Sequence, residues 1–192
     1  MSMAFVLGNG LSRTEIDLCL LKQVGKIYGC NALYREFEPD VLVATDRPIA
    51  EKIQESGYSL KNTFYTRKPV AGKGAIRIPQ KYWAYSSGPV ALAIAAEHQY
   101  TNIYLLGFDL GPTADNKFNN VYADTEFYKT SQSVPTYTRN WVQQIVNTVN
   151  EFSEIQFVRV CGETTAKISE FDGLRNLEQL SVTEFLKQLN NG

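Results

Sequence analysis

Ala4-Phe5-Val6-Leu7-Gly8-Asn9-Gly10-Leu11-Ser12-Arg13-Thr14-Glu15 is the stretch that decides the fold. Its four consecutive apolar residues read as a short strand, and their lack of alternation predicts burial on both faces. Gly8-Asn9-Gly10 then reads as a turn. Ser12 with Glu15 forms a capping-box pattern ahead of Ile16, Leu18 and Leu20, which predicts a helix near Thr14–Val24. A glycine turn feeding a helix start leaves backbone N–H groups that can hold phosphate or another anion. The same residues also suit a plain strand-to-helix turn. The pattern is neither Gly-x-Gly-x-x-Gly nor a P-loop, since no third glycine and no Gly-Lys-Ser/Thr follows.

Working outward, further apolar runs predict strands at Lys26–Cys30, Val41–Ala44, Thr63–Thr66, Ile103–Leu106 and, as the last one, Ile155–Val160. Helical patterns separate several of them. One follows Thr45-Asp46-Arg47-Pro48 to about Ser56, with Thr45 or Asp46 as its cap and Pro48 tolerated in the first turn. Another opens at Ser86-Ser87-Gly88-Pro89 and runs to about Gln99, and a third spans about Asn140 to Phe152. Ser181 and Glu184 make a second capping-box pattern, which predicts a C-terminal amphipathic helix at about 181–190. Strand–helix alternation with continuous apolar strands implies an α/β, Rossmann-like doubly wound, mainly parallel sheet in a single domain over residues 1–192.

The chain has 192 residues, 44% of them hydrophobic, and a net charge of −1 from 19 basic and 20 acidic residues. That balance argues against general nucleic-acid or membrane-surface binding. No apolar run approaches a membrane span, and Met1-Ser2-Met3 leads straight into a strand, so a cytoplasmic location is expected. Three scattered cysteines (Cys19, Cys30 and Cys161) and one histidine predict buried thiols rather than a zinc site.

Ligands of open α/β sheets bind where strands end and helices begin. Those junctions here are Gly8-Asn9-Gly10, Asn31, Thr45-Asp46, Gly107-Phe108-Asp109 and Gly162-Glu163, joined by the helix start Ser86-Ser87-Gly88. Together they suggest a cradle for a nucleotide, although turns favour the same residue types. Two hydroxyls and a glycine at a helix start can also donate to phosphate oxygens. The long segment 111–138 lacks periodicity but is rich in aromatics, which predicts an ordered lid. Arg67, Lys68, Lys73, Arg77 and Lys81 form either a basic flap over an anionic ligand or a solvated loop. His98 falls at the C-terminal end of a helix, the end opposite the ligand edge in such a fold.

In order and spacing these motifs resemble the bacterial lipooligosaccharide sialyltransferase-like family. A wider circle of methylpterin pyrophosphokinase-like and motility accessory proteins shares the pattern. The residues that carry the resemblance are Gly8-Asn9-Gly10-Leu11-Ser12, then Cys30-Asn31 before Tyr34, then Ser86-Ser87-Gly88 before an alanine-rich helix, then Gly107-Phe108-Asp109. It covers roughly Phe5 to Asp109 and, more loosely, extends to Cys161. The resemblance implies a cytidine monophosphate sugar donor held by Asn9, Asn31, Ser87 and Gly88. Asp46 stands where those enzymes carry asparagine, and Tyr122 matches a lid tyrosine that helps neutralise the leaving phosphate. Relatives in the sialyltransferase group assemble as oligomers, so a homo-oligomer is a further expectation.

The chain also departs from the pattern. Thr136-Tyr137-Thr138-Arg139 occupies the place of the family's basic histidine, and Tyr82-Trp83-Ala84-Tyr85 lacks the expected arginine. Leu11 replaces a proline, and a second lid tyrosine falls at about Gly111. Asp124 or Asp109 is then the expected general base, beside Tyr122. The expected function is a transferase using a nucleotide-activated donor without a metal. Three alternatives stand beside it: a nucleotide- or metabolite-binding protein without turnover, a Mg²⁺-dependent diphosphotransferase if Asp46 and Asp109 converge, and a purely structural or assembly protein.

Overall fold

In the computed structural model, which describes residues 2–190, the strands are β1 (Met3–Leu7), β2 (Lys26–Cys30), β3 (Val41–Ala44), β4 (Phe64–Thr66), β5 (Ile76–Arg77), β6 (Asn102–Leu106), β7 (Gln156–Cys161) and β8 (Leu177–Ser181). They form one sheet in the order β5-β4-β3-β2-β1-β6-β7-β8, and every pairing is parallel. The helices are α1 (Leu18–Val24), α2 (Arg47–Glu55), α3 (Ser87–Glu97), α4 (Arg139–Glu151) and α5 (Val182–Asn190). Met1, Asn191 and Gly192, which the single-domain expectation includes, lie outside the described residues.

Successive residues of a strand face opposite sides, and β1 shows what that means here. Ala4 and Val6 pack with α3 and α4 on one face; Phe5 and Leu7 pack with α1, α2 and α5 on the other. Both layers are apolar, so the strand reads as a continuous hydrophobic run. This is the Rossmann-like, doubly wound arrangement. Helix α3 is buried almost all round, and its Ala91, Ala93, Ala95 and Ala96 are fully covered. Among the described residues no helix is long and apolar enough to cross a membrane.

The chain winds outward from β1 to β5, returns through α3, and starts again at β6 on the other side of β1. The β1–β6 seam is therefore the topological switch point, where the turns at the strand C-termini diverge and leave a crevice.

Four elements differ from the sequence reading. The helix expected from Thr14 is a 3-10 turn, Leu11–Glu15, followed by α1, whose cap is Asp17 accepting from the Cys19 N–H at 2.8 Å. The Ser12–Glu15 capping box does not form, because the Ser12 hydroxyl is bonded to Asp109 instead. Strand β7 is not the last: β8 follows it as a half-exposed edge strand. Strand β5 is a two-residue edge strand that no apolar run announced. The C-terminal capping box does form, with Ser181 N–H donating to Glu184 at 2.9 Å and Glu184 N–H donating back to Ser181 at 3.2 Å.

Candidate functional site

A cleft of about 420 Å³ opens at the switch point. Its floor comes from the turns after β1 and β6, which approach so closely that a Cβ on Gly10 would lie 2.4 Å from the Asp109 carboxyl carbon. Gly107 adopts φ 70, and a Cβ there would lie 2.9 Å from the Gly8 carbonyl oxygen. Only glycine fits that backbone without strain. One side of the cleft is formed by Cys30, Asn31 and Asp46 at the ends of β2 and β3, and another by Ser86-Ser87-Gly88 at the start of α3. The segment 111–138 covers the opening with Phe118, Asn119, Phe127, Tyr128 and Lys129, and Trp141 of α4 adds a further ring.

Of the residues expected around a nucleotide, Gly8, Asn9, Gly10, Asn31, Asp46, Ser86, Ser87 and Gly88 all line this one cleft. Ser12 does not, and the reason is Asp109. That carboxylate is 3% exposed and accepts five hydrogen bonds: from the Ser12 N–H (3.1 Å), the Ser12 hydroxyl, Asn119 (3.1 Å), Thr164 (2.6 Å) and Thr165 (3.3 Å). The first turn also spends three further N–H groups internally. Gly8 donates to Leu106, Gly10 to Gly107, and Leu11 to Asn119. The anion this glycine turn holds is thus the protein's own Asp109, which cross-links three loops rather than standing free as a base.

Asp109 does line the cleft, but the other two expected catalytic groups lie outside it. Tyr122 is buried outside the cleft, donating to Glu36 at 2.6 Å and accepting from Arg13 at 3.0 Å. Burial pushes its hydroxyl above the ordinary tyrosine range, against the pull of Arg13. Together Arg13, Glu36 and Tyr122 pin the covering segment to the body. Asp124 is exposed, bonded to the Ser131 N–H at 3.0 Å, and does not line the cleft. The tyrosine that does face the cleft is Tyr128, whose hydroxyl accepts from the Ala32 N–H at 3.3 Å. Thr136 and Thr138 face it as well, at the place where the resemblance expects a histidine.

Of the basic group at 67–81, Arg67 donates to the carbonyls of Thr45, Trp83 and Tyr85 and so steadies the approach to α3; none of the five cations lines the cleft. Lys129 is the one lysine or arginine among the lining residues. His98 lies at the far end of α3, with Nδ1 2.5 Å from the Tyr28 hydroxyl.

Three features give the cleft the capacity to recognise a ligand. The Asn31 Oδ1 is shielded from water and accepts no hydrogen bond, which costs about 1–3 kcal/mol while it stays unsatisfied. Asp46 occupies the cap position of α2 but makes no capping bond, so its carboxylate is uncommitted there. Asn31, Leu110 and Phe127 all line the cleft with positive φ (53, 54 and 73), a backbone state costing on the order of 1–3 kcal/mol for a non-glycine residue. Unsatisfied and strained groups of this kind cluster at ligand sites.

One supporting residue was missed by sequence reasoning. Arg159 of β7 is fully buried and donates to the carbonyls of Phe108 (3.1 and 2.9 Å) and Asp109 (3.1 Å) and to Gln179 (3.1 Å). Burial pulls it below the ordinary arginine range, while the neighbouring Cys161 and Asp109 act the other way. It fixes the floor of the cleft from beneath. The available signal was a single charged residue inside the apolar run 157–161.

No protein-family model, no curated protein and no solved structure matches this chain.

Proposed function

We propose that the switch-point cleft binds a nucleotide-activated donor and that the chain is a transferase acting on it, of the cytidine monophosphate sugar type. The observation that carries this reading is the convergence of Asn9, Asn31, Asp46 and Ser86-Ser87-Gly88 on one cleft with an aromatic wall. The phosphate end lies against α3, whose first N–H groups have no partners within the helix and whose dipole favours an anion. Ser86, at the cap position, makes no side-chain capping bond of its own. Lys129 supplies positive charge from the covering segment. Phe118, Phe127 and Trp141 offer faces to the base or sugar. Asn31 bonds the donor through the amide that is otherwise unsatisfied.

One observation favours a second reading, nucleotide binding without turnover. Asp109 and Tyr122 are committed to holding loops, and Asp124 stands outside the cleft. The Mg²⁺-dependent diphosphotransferase loses its two-carboxylate site, because five donors already occupy the oxygens of Asp109. Among the described residues no group of three potential metal ligands forms.

The test is calorimetry with cytidine monophosphate, other nucleotides and nucleotide sugars, with and without Mg²⁺. Saturable binding that falls at least tenfold in Asn31→Gly supports the reading, since glycine keeps the backbone and removes only the amide. Hydrolysis of a bound nucleotide sugar then separates transferase from binder. Silence across the panel refutes both.

A further inference from the structure

Beside the cleft lies a smaller lobe of about 220 Å³, lined by Asn31, Asp46, Pro48, Ile49, Phe127 and Tyr128. Asn31, Asp46, Phe127 and Tyr128 line the main cleft as well, so the two spaces adjoin at these four residues. Two of the four, Asn31 and Phe127, are the strained ones. Phe127 is 44% exposed and lines the lobe. Pro48 and Ile49, in the first turn of α2, make the opposite wall apolar. The only ionisable group in the lobe besides the Tyr128 phenol is the carboxylate of Asp46.

Resting on the donor reading above, we infer that this lobe is the acceptor subsite, that it takes an uncharged hydroxyl compound with an apolar face, and that Asp46 is the catalytic base. Asp46 borders both compartments, and without a capping bond its oxygens are available to an O–H donor. An anionic acceptor meets the repulsion of Asp46; no lysine or arginine lines the lobe, and Arg35, 5.9 Å from the Phe127 ring centroid, is bonded to Thr125 and Glu126. An amine would pair with it as the ammonium ion, whose lone pair is already protonated and cannot attack. A hydroxyl suits both constraints: its O–H donates to the carboxylate while the carbon face of the molecule rests on Phe127 and Pro48.

In the step itself the acceptor oxygen forms a bond to the electrophilic carbon of the donor. Its proton passes to Asp46, and the carbon–oxygen bond to phosphate breaks with its electron pair leaving on the nucleotide. Positioned proton transfer of this kind contributes a factor of about 10² to 10⁴.

Two experiments test the lobe and the base separately. Saturation-transfer NMR with glucose, glucuronate and glucosamine probes the lobe directly. The expected result is a signal for glucose only, abolished in Pro48→Trp, a variant whose cytidine monophosphate affinity stays within about threefold of wild type. Uptake of nucleotide with no glucose signal, or a signal indifferent to Pro48→Trp, overturns the lobe and leaves the donor reading standing. Glucose in the lobe with no nucleotide in the cleft has the opposite meaning. For the base, Asp46→Ala is expected to slow hydrolysis of the cytidine monophosphate sugar by about 10² or more, with formate restoring part of the rate. Hydrolysis at the wild-type rate in Asp46→Ala, or a slow rate that formate does not raise, overturns the assignment.

Discussion

Ser12 and Asp109, 97 residues apart, are joined twice: the Ser12 N–H donates to one carboxylate oxygen and the Ser12 hydroxyl to the other. A residue that looked like a helix cap and one that looked like a base are instead the two halves of a clamp. The clamp holds the turns after β1 and β6 at the distance that makes the cleft.

Asp109→Asn tests that clamp. An amide presents donors where five donors already converge, so the expected loss is about 2–5 kcal/mol. For a chain of this size that lowers Tm by about 5–15 °C, read by thermal unfolding. A protein of unchanged Tm would contradict the structural role and return Asp109 to the list of candidate bases.

Arg159→Lys removes a planar fork while keeping the charge. A single ammonium cannot serve the carbonyls of Phe108 and Asp109 and also Gln179, so about 2–4 kcal/mol should be lost. Denaturant titration is the measurement, with an unchanged midpoint as the contrary result.

Cys30 gives the pH dependence. Burial pushes its thiol up to about 12. The unfolded chain releases that proton near about 8.5, so above this pH the native state binds more protons and stability falls as pH rises toward 12. The slope from this one group reaches at most about 1.4 kcal/mol per pH unit. Cys30→Ala should flatten the alkaline limb of the stability profile. Of the three thiols expected to be buried only Cys30 is; Cys19 is exposed and Cys161 half-buried, so iodoacetamide at pH 8 should label Cys19 and spare Cys30 until the chain unfolds, as mass spectrometry can show.

Lys129→Ala should weaken nucleotide binding about five- to tenfold, equivalent to about 1–1.4 kcal/mol, and more at low salt. Because Lys129 is exposed, Tm should not move. Equal affinity in calorimetry at two ionic strengths would exclude the lysine from the phosphate site.

Central strands were legible because burial on both faces leaves an uninterrupted apolar run, as in Ala4–Leu7 and Ile103–Leu106. Edge strands β5 and β8 were not, since an exposed edge carries residues such as Arg77, Glu178 and Gln179 that any loop tolerates. The cradle was legible at its turns, where Gly8, Asn31 and Ser86 sit next to strand or helix ends. The roles of Asp109 and Tyr122 were not, because both depend on partners far away in sequence. Ser12 and Thr164 saturate the first, and Glu36 and Arg13 capture the second. Arg159 escaped for the same reason: nothing local tells a buried arginine which carbonyls it will reach.

The reversal of winding at β1 and β6 makes the molecule two halves sharing one seam. Residues up to about 98 carry β1 to β5 and α3; those from about 102 carry β6 to β8, α4 and α5. A cut in the short loop between them severs no strand, and each fragment keeps one bank of the cleft. A ligand seated there touches both banks, so its binding energy adds directly to the cohesion of the halves. The protein should therefore be divisible into complementing fragments whose reassembly reports the ligand.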